Sequence, residues 1–232
     1  MIKHHPKFEL LELFVNGELP ASLSAGIAIH AEMCPKCQEK IALLTEQIAA
    51  VNFEKELSDP FLITDDIDDF SGEESLGGLN IDDMVANITQ AQPSQNTKLT
   101  INKSVTYQGK SYALPRALAN MEVGKAANIG KLSRSRIQLN ENEVRTSLLH
   151  IAPGGGVPEH THKGFELTLL LEGTFSDEDG EYIKGDFIML DSSHQHHPIS
   201  KNGCLCYTVA NGALHFTQGI NKLLNPIGAF IY

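Results

Sequence analysis

The chain has no tryptophan, only 6% aromatic residues, four cysteines, and far fewer cations than anions: 18 Lys+Arg against 29 Asp+Glu, a formal charge of −11 over 232 residues. The shortage of positive charge argues against sequence-independent binding to DNA or to an anionic membrane, since both are driven by Lys and Arg. No run approaches the roughly 18 uninterrupted apolar residues of a membrane span. The opening segment Met1-Ile2-Lys3-His4-His5-Pro6-Lys7 is followed by Glu9 and Glu12 rather than by an apolar stretch, so no signal peptide is expected and a cytoplasmic location is. In such a reducing compartment the four cysteines point to metal binding or redox chemistry rather than to disulfides. What is present suffices for a core: 41% hydrophobic and 20% charged residues exclude wholesale disorder.

Charge is unevenly placed. Between Glu54 and Asp83 there are eleven acids and one base, Lys55, so this segment carries nearly all of the net charge. It is also glycine-bearing (Gly72, Gly77, Gly78) and leads into a polar run from Gln90 to Lys98 with Pro93, which has the composition of a tether. The division that follows is a helical domain over residues 1–90 that includes the acidic segment 54–83, a linker over 91–105, and a second domain over 106–232. At the end of the acidic segment and just beyond it, Ile81, Met84, Val85 and Ile88 recur at helical spacing. A solvated linker explains the acids alone; the apolar stripe suggests a surface for a basic partner.

The first block reads as three short helices. Phe8, Leu11, Phe14 and Val15 share a face until Asn16-Gly17 ends the pattern; Pro20 introduces a second helix, and Pro35 a third, with Cys37, Ile41, Leu44, Ile48 and Val51 in step. About 50 residues of helix make a small core that needs a staple. The second block reads instead as short strands, Val105-Thr106-Tyr107, Thr146 to Ile151, Leu167 to Leu171, Phe187 to Leu190 and Cys204 to Val209, punctuated by Gly, Pro, Asp and Asn. That pattern predicts a sandwich or barrel.

Two constellations carry chemistry. In His30-x3-Cys34-x2-Cys37 the side chains lie four and three residues apart, and Pro35 suits a first helical position with Cys34 as its cap. Two thiolates and an imidazole suit zinc, which takes four ligands in structural sites; His5 or its neighbour His4 is the candidate fourth. A redox pair Cys34/Cys37 is the competing reading, although a thioredoxin-like site would require strands that this block lacks.

The second constellation is more specific. Gly154, His160, His162, Glu166 and Gly173 fit the first cupin motif, G-x5-H-x-H-x3-E-x6-G, at every fixed position. The second motif, G-x5-P-x-G-x2-H-x3-N, is looser: Gly185 is present, Asp191, Ser193 and Ser200 replace Pro, Gly and Asn, and His196 is in register ahead of its neighbours His194 and His197. His160, His162, Glu166 and His196 are therefore the candidate ligands of a metal, which could be Zn, Fe, Mn or Ni. Cys204 and Cys206 share a strand face at a spacing of about 6.6–6.8 Å, a poor fit to a disulfide, and are expected to be buried thiols, with a redox role as the alternative.

The combination of an HxxxCxxC helical head with a cupin resembles the ChrR-type, cupin-bearing branch of the zinc-binding anti-sigma family. The resemblance runs over nearly the whole chain and rests on His5, His30, Cys34 and Cys37 in the head, on His160, His162, Glu166 and His196 in the cupin, and on the late Cys204-x-Cys206 pair. It implies an α + β two-domain protein: a small zinc-binding helical anti-sigma domain followed by a cupin β-barrel or jelly roll. It also implies zinc in the head, zinc or another of those metals in the cupin, and an extracytoplasmic-function sigma factor as protein partner. That partner would be sequestered and then released on oxidative stress, singlet oxygen or organic hydroperoxide. The alternative is a metal-dependent cupin dioxygenase or isomerase with a helical accessory domain, which gives no reason for the zinc-type head and its acidic extension.

Overall fold

The computed structural model describes residues 1–58, 81–90, 103–212 and 214–216. Most of the acidic run, nearly all of the expected linker and the C-terminal tail lie outside the described residues. Helices α1 (Phe8–Val15), α2 (Ala21–Met33) and α3 (Pro35–Ser58) form where the apolar periodicity and the two prolines place them. Cys34 is both the last cap of α2 and the first of α3: its N–H donates to the His30 carbonyl, and its own carbonyl accepts from Cys37 and Gln38. Pro35, lacking an N–H, sits where no helical donor is needed.

The remaining elements are antiparallel strands. The hairpin β1 (Ser104–Tyr107) and β2 (Lys110–Ala113) stands first. The main sheet joins β3 (Ala127–Ile129), β4 (Leu132–Ile137), β5 (Arg145–Ile151), β6 (Gly155–Gly156), β8 (Glu166–Ser176), β9 (Glu181–Ile183), β10 (Phe187–Leu190), β12 (Ile199–Ser200) and β13 (Cys204–Ala210). A second, three-stranded sheet takes β11 (Gln195–His196), β7 (His160–His162) and β14 (Leu214–Phe216) in that order. The helical head followed by a curled antiparallel sheet is the expected α + β arrangement.

The sheet explains why its central strands read as nearly unbroken apolar runs. Both faces are covered. Leu148, Leu167, Leu169, Leu171, Phe187, Leu205, Tyr207 and Val209 join one core with Leu11, Leu23, Ala25, Ile27, Ile29 and Leu44 of the helices. Their neighbours of opposite parity, Leu149, Leu170, Ile188, Cys204 and Cys206, form a second core inside the curl with Ile151, Val157, Phe175 and Tyr182. The period of two thus assigns each strand one face for the head and one for the barrel interior. The buried Tyr207 hydroxyl donates to the Ser22 carbonyl of α2 at 2.8 Å, fixing that contact.

The chain divides into two compact units, Met1–Glu46 together with Ile101–Tyr232, and Gln47–Thr100. In the second unit α4 (Ile81–Gln90) is the helix expected from the apolar stripe, and its Met84, Val85 and Ile88 are exposed. No helix among the described residues is long and apolar enough to cross a membrane.

Candidate metal centres

The two constellations become two clusters. In the head, the ligand atoms of His5, His30, Cys34 and Cys37 lie within 4.8 Å of one another. His30 Nε2 is 3.2 Å from Cys37 Sγ, and His5 Nδ1 is 3.4 Å from Cys34 Sγ and 3.5 Å from Cys37 Sγ. Nitrogen and sulfur bound to one tetrahedral zinc stand about 3.5 Å apart, given Zn–N near 2.0 Å and Zn–S near 2.3 Å. The donors have the spacing such an ion needs. The geometry also separates His5 from His4, whose ring packs against Tyr182 with centroids 4.9 Å apart.

Local structure accounts for the convergence. His30 ends α2, Cys34 caps the joint and Cys37 closes the first turn of α3, while the extended segment before α1 brings in His5. His30 Nδ1 must donate to the Gly185 carbonyl, 2.8 Å away, so its Nε2 lone pair faces the sulfurs. Burial lowers the His30 pKa, keeping that imidazole neutral, and burial next to Cys34 pushes the Cys37 thiol up to about 11. A cation among the thiols would offset this penalty by binding the thiolate form.

The barrel cluster comprises His160, His162, Glu166 and His196, all buried. His160 and His162 share a face of β7, Glu166 opens β8, and His196 on β11 pairs directly with His160. His196 Nε2 lies 3.0 Å from His160 Nε2, 3.3 Å from His162 Nε2 and 3.5 Å from Glu166 Oε2; His162 Nε2 is 2.9 Å from the same carboxylate oxygen. Ligands about 2.1 Å from one zinc stand about 3.4 Å apart at tetrahedral angles, so these donors also fit an ion. His160 Nδ1 donates to the Pro158 carbonyl at 2.8 Å, which leaves its Nε2 bare toward the cluster.

Electrostatics favour ligation. Burial drives the His160 pKa down to about 4. Burial would raise Glu166, but hydrogen bonds with His162 and His196 outweigh it and hold the carboxyl well below its usual range. Burial likewise opposes charge on His196, and Glu166 with Asp177 overcome it. His194 is exposed and bonded to Asp191, and His197 does not enter the cluster. Both groups are thus compatible with metal binding; three imidazoles and a carboxylate do not select one metal, whereas two thiols and two imidazoles favour zinc.

Cys204 and Cys206 are buried free thiols with sulfurs 3.9 Å apart, and Cys206 lines a cavity of about 30 Å³ beside the barrel cluster. The other walls include Arg134, Leu149, Val157, Phe175 and Thr168. Sequence reasoning did not single out Asp186, Arg134 or the Gly185 and Pro158 carbonyls. Backbone oxygens leave no mark in a sequence, and a lone acid in a turn or a lone base on a strand has no spacing to distinguish it.

Fold and clusters together define a class: a helical head with a His/Cys cluster, joined to a cupin-like barrel with a His/Glu cluster. Residues 131–215 match the family model of the ChrR cupin-like domain. The chain is 27% identical over 232 residues to the anti-sigma-E factor ChrR of Cereibacter sphaeroides, covering 97% of each. The fold is shared with the crystal structure of Rhodobacter sphaeroides SigE in complex with the anti-sigma ChrR, with a TM-score of 0.60 and 21% identity over 90% of this chain and 99% of that one. The likeness to ChrR-type proteins therefore takes in head and barrel alike.

Proposed function

We propose that this chain is an anti-sigma factor that sequesters an extracytoplasmic-function sigma factor and releases it under oxidative stress. The observation that carries the reading is the His5/His30/Cys34/Cys37 cluster in the same chain as a ChrR cupin-like domain. The end-to-end similarity to an anti-sigma-E factor supports it. In this reading residues 1–90 hold the sigma factor, zinc ties His5 to the joint between α2 and α3, and the barrel cluster holds the second metal. The exposed Met84, Val85 and Ile88 of α4 supply an apolar docking face, and the surrounding acids complement the basic surface a sigma factor presents to DNA. Release by singlet oxygen or organic hydroperoxide is what the resemblance to ChrR-type proteins implies; in this reading the cupin and its metal would carry the response.

The enzyme reading, a metal-dependent cupin dioxygenase or isomerase, gives no account of the His/Cys cluster in the helical head or of the acidic stretch that follows it.

The test is co-expression of the chain with extracytoplasmic-function sigma factors, one at a time, followed by purification and metal analysis. A one-to-one complex that inhibits transcription from the cognate promoter is expected. Cys34→Ser with Cys37→Ser should lose one metal equivalent and the complex together. A double variant that binds no head metal yet represses normally would overturn the role given to the cluster.

A further inference from the structure

The head cluster is completed from outside the head. Asp186, fully buried, accepts the backbone N–H of Lys3 at 2.7 Å and of His4 at 3.0 Å through Oδ1, and that of Ile183 at 2.9 Å through Oδ2. The Phe187 N–H donates to the His4 carbonyl at 3.1 Å, and the Gly185 carbonyl accepts from His30 Nδ1 at 2.8 Å. The Phe187 ring meets the His30 ring edge-on at 5.8 Å. All these partners belong to one short stretch of barrel, the turn from β9 into β10.

Two features separate this turn from an ordinary strand connection. Gly185 has φ +93°, which a turn alone could explain; in addition, a Cβ there would fall 2.4 Å from Ile2 Cδ1 and 2.8 Å from Ile2 Cγ1. The N-terminal segment thus runs directly over the glycine. Asp186 spends a buried carboxylate on three N–H donors, two of them from residues beside His5 and more than 180 positions away. Charge-assisted bonds of this kind are roughly twice as strong as neutral ones.

We infer that the turn Ile183–Phe187 is the outer shell of the head's metal centre, so that the cupin governs how firmly the head retains its ion. The inference rests on the metal reading proposed above. Gly185 fixes the tautomer and orientation of His30. Asp186 is a positioning residue for His5, acting through the backbone of Lys3 and His4. Loss of such outer-shell partners costs about 10–100-fold in metal affinity. The same strand leads onward: β10 runs from the turn to Leu190, which pairs with Glu166 of the barrel cluster. One strand therefore connects the head's ligand clasp to the cupin's own ligands.

The test uses the full chain loaded with Co²⁺. Thiolate-to-cobalt charge transfer reports the head alone, because the barrel's clustered ligand atoms include no sulfur; Cys34→Ser, which should lose or shift the band, is the control. Release to a chelator is timed on this band. Asp186→Ala should speed it by about 10–100-fold. Asp186→Asn keeps one oxygen for Lys3 and His4 but sets an amide against the Ile183 N–H, and should speed release by less. If Asp186→Ala fails to fold, seen as loss of the barrel's cobalt as well, Asp186→Asn decides. Wild-type protein without the band would sink the metal reading itself. A wild-type band with release from both folded variants within twofold of wild type would overturn this inference and leave that reading standing.

Discussion

Gly26 offers a quantitative test of how the head meets the barrel. It lies in the interior of α2, where replacing glycine by alanine ordinarily stabilises a helix by about 1 kcal/mol. Here the added Cβ would sit 2.8 Å from Leu167 Cδ2, 3.5 Å from Tyr207 Cε1 and 3.7 Å from Phe187 Cε2. The second and third are ordinary contacts; the first is about 0.7 Å inside the separation two carbons prefer. Leu167 is fully buried in the shared core, so its side chain can give way only by displacing packed neighbours. Overpacking of this kind costs about 1–3 kcal/mol. The clash outweighs the propensity gain, and Gly26→Ala should lose up to about 2 kcal/mol net. Gly26→Val adds two methyls beyond that Cβ with a smaller propensity gain, and should lose more, about 3 kcal/mol. Urea unfolding of the full chain at fixed metal concentration measures both, with a lowered midpoint at unchanged m expected for Gly26→Ala. If Gly26→Ala instead gains the full 1 kcal/mol of a solvent-facing helix position, α2 does not press on the sheet and the shared core is wrong.

Two further outcomes follow from the clusters and their surroundings. His160→Ala or Glu166→Ala should remove one metal equivalent while leaving the thiolate-bound one, and should leave sigma-factor inhibition intact but blunt release by oxidant; loss of inhibition instead would make the barrel part of the inhibitory surface. His150 is buried, its Nε2 3.1 Å from the Tyr112 hydroxyl and its ring stacked on Tyr107, and burial, with Lys110 adding to it, lowers its pKa. The unfolded chain takes up this proton first as pH falls below about 6.5, so the contribution is full above that pH and is lost as pH drops toward the folded value. Unfolding free energies at pH 7, 6 and 5 should fall less steeply for His150→Gln than for wild type; parallel slopes would show that His150 is not buried neutral.

Much of this protein can be read locally. Three helix starts and stops follow from Asn16-Gly17, Pro20 and Pro35, because caps, glycine and proline act on the nearest turn. Candidate ligands were legible for the same reason: positions three or four apart on a helix, and two apart on a strand, share a face whatever else the chain does. The continuous apolar run Leu167 to Leu171 announced a strand but not what covers it. The choice of His5 over its neighbour also lay beyond local rules, since it depends on Tyr182 taking the His4 ring.

Sequence by itself determined the element types, the two ligand motifs and the uneven charge, all of which are set by neighbours within a turn or a strand. Only the tertiary structure decided that the head and barrel share one core, that α2 lies on the sheet through Gly26 and Tyr207, and that Asp186 holds the segment carrying His5. Those contacts join residues more than a hundred positions apart, where no periodicity reaches and only packing and the satisfaction of buried polar groups select the partner.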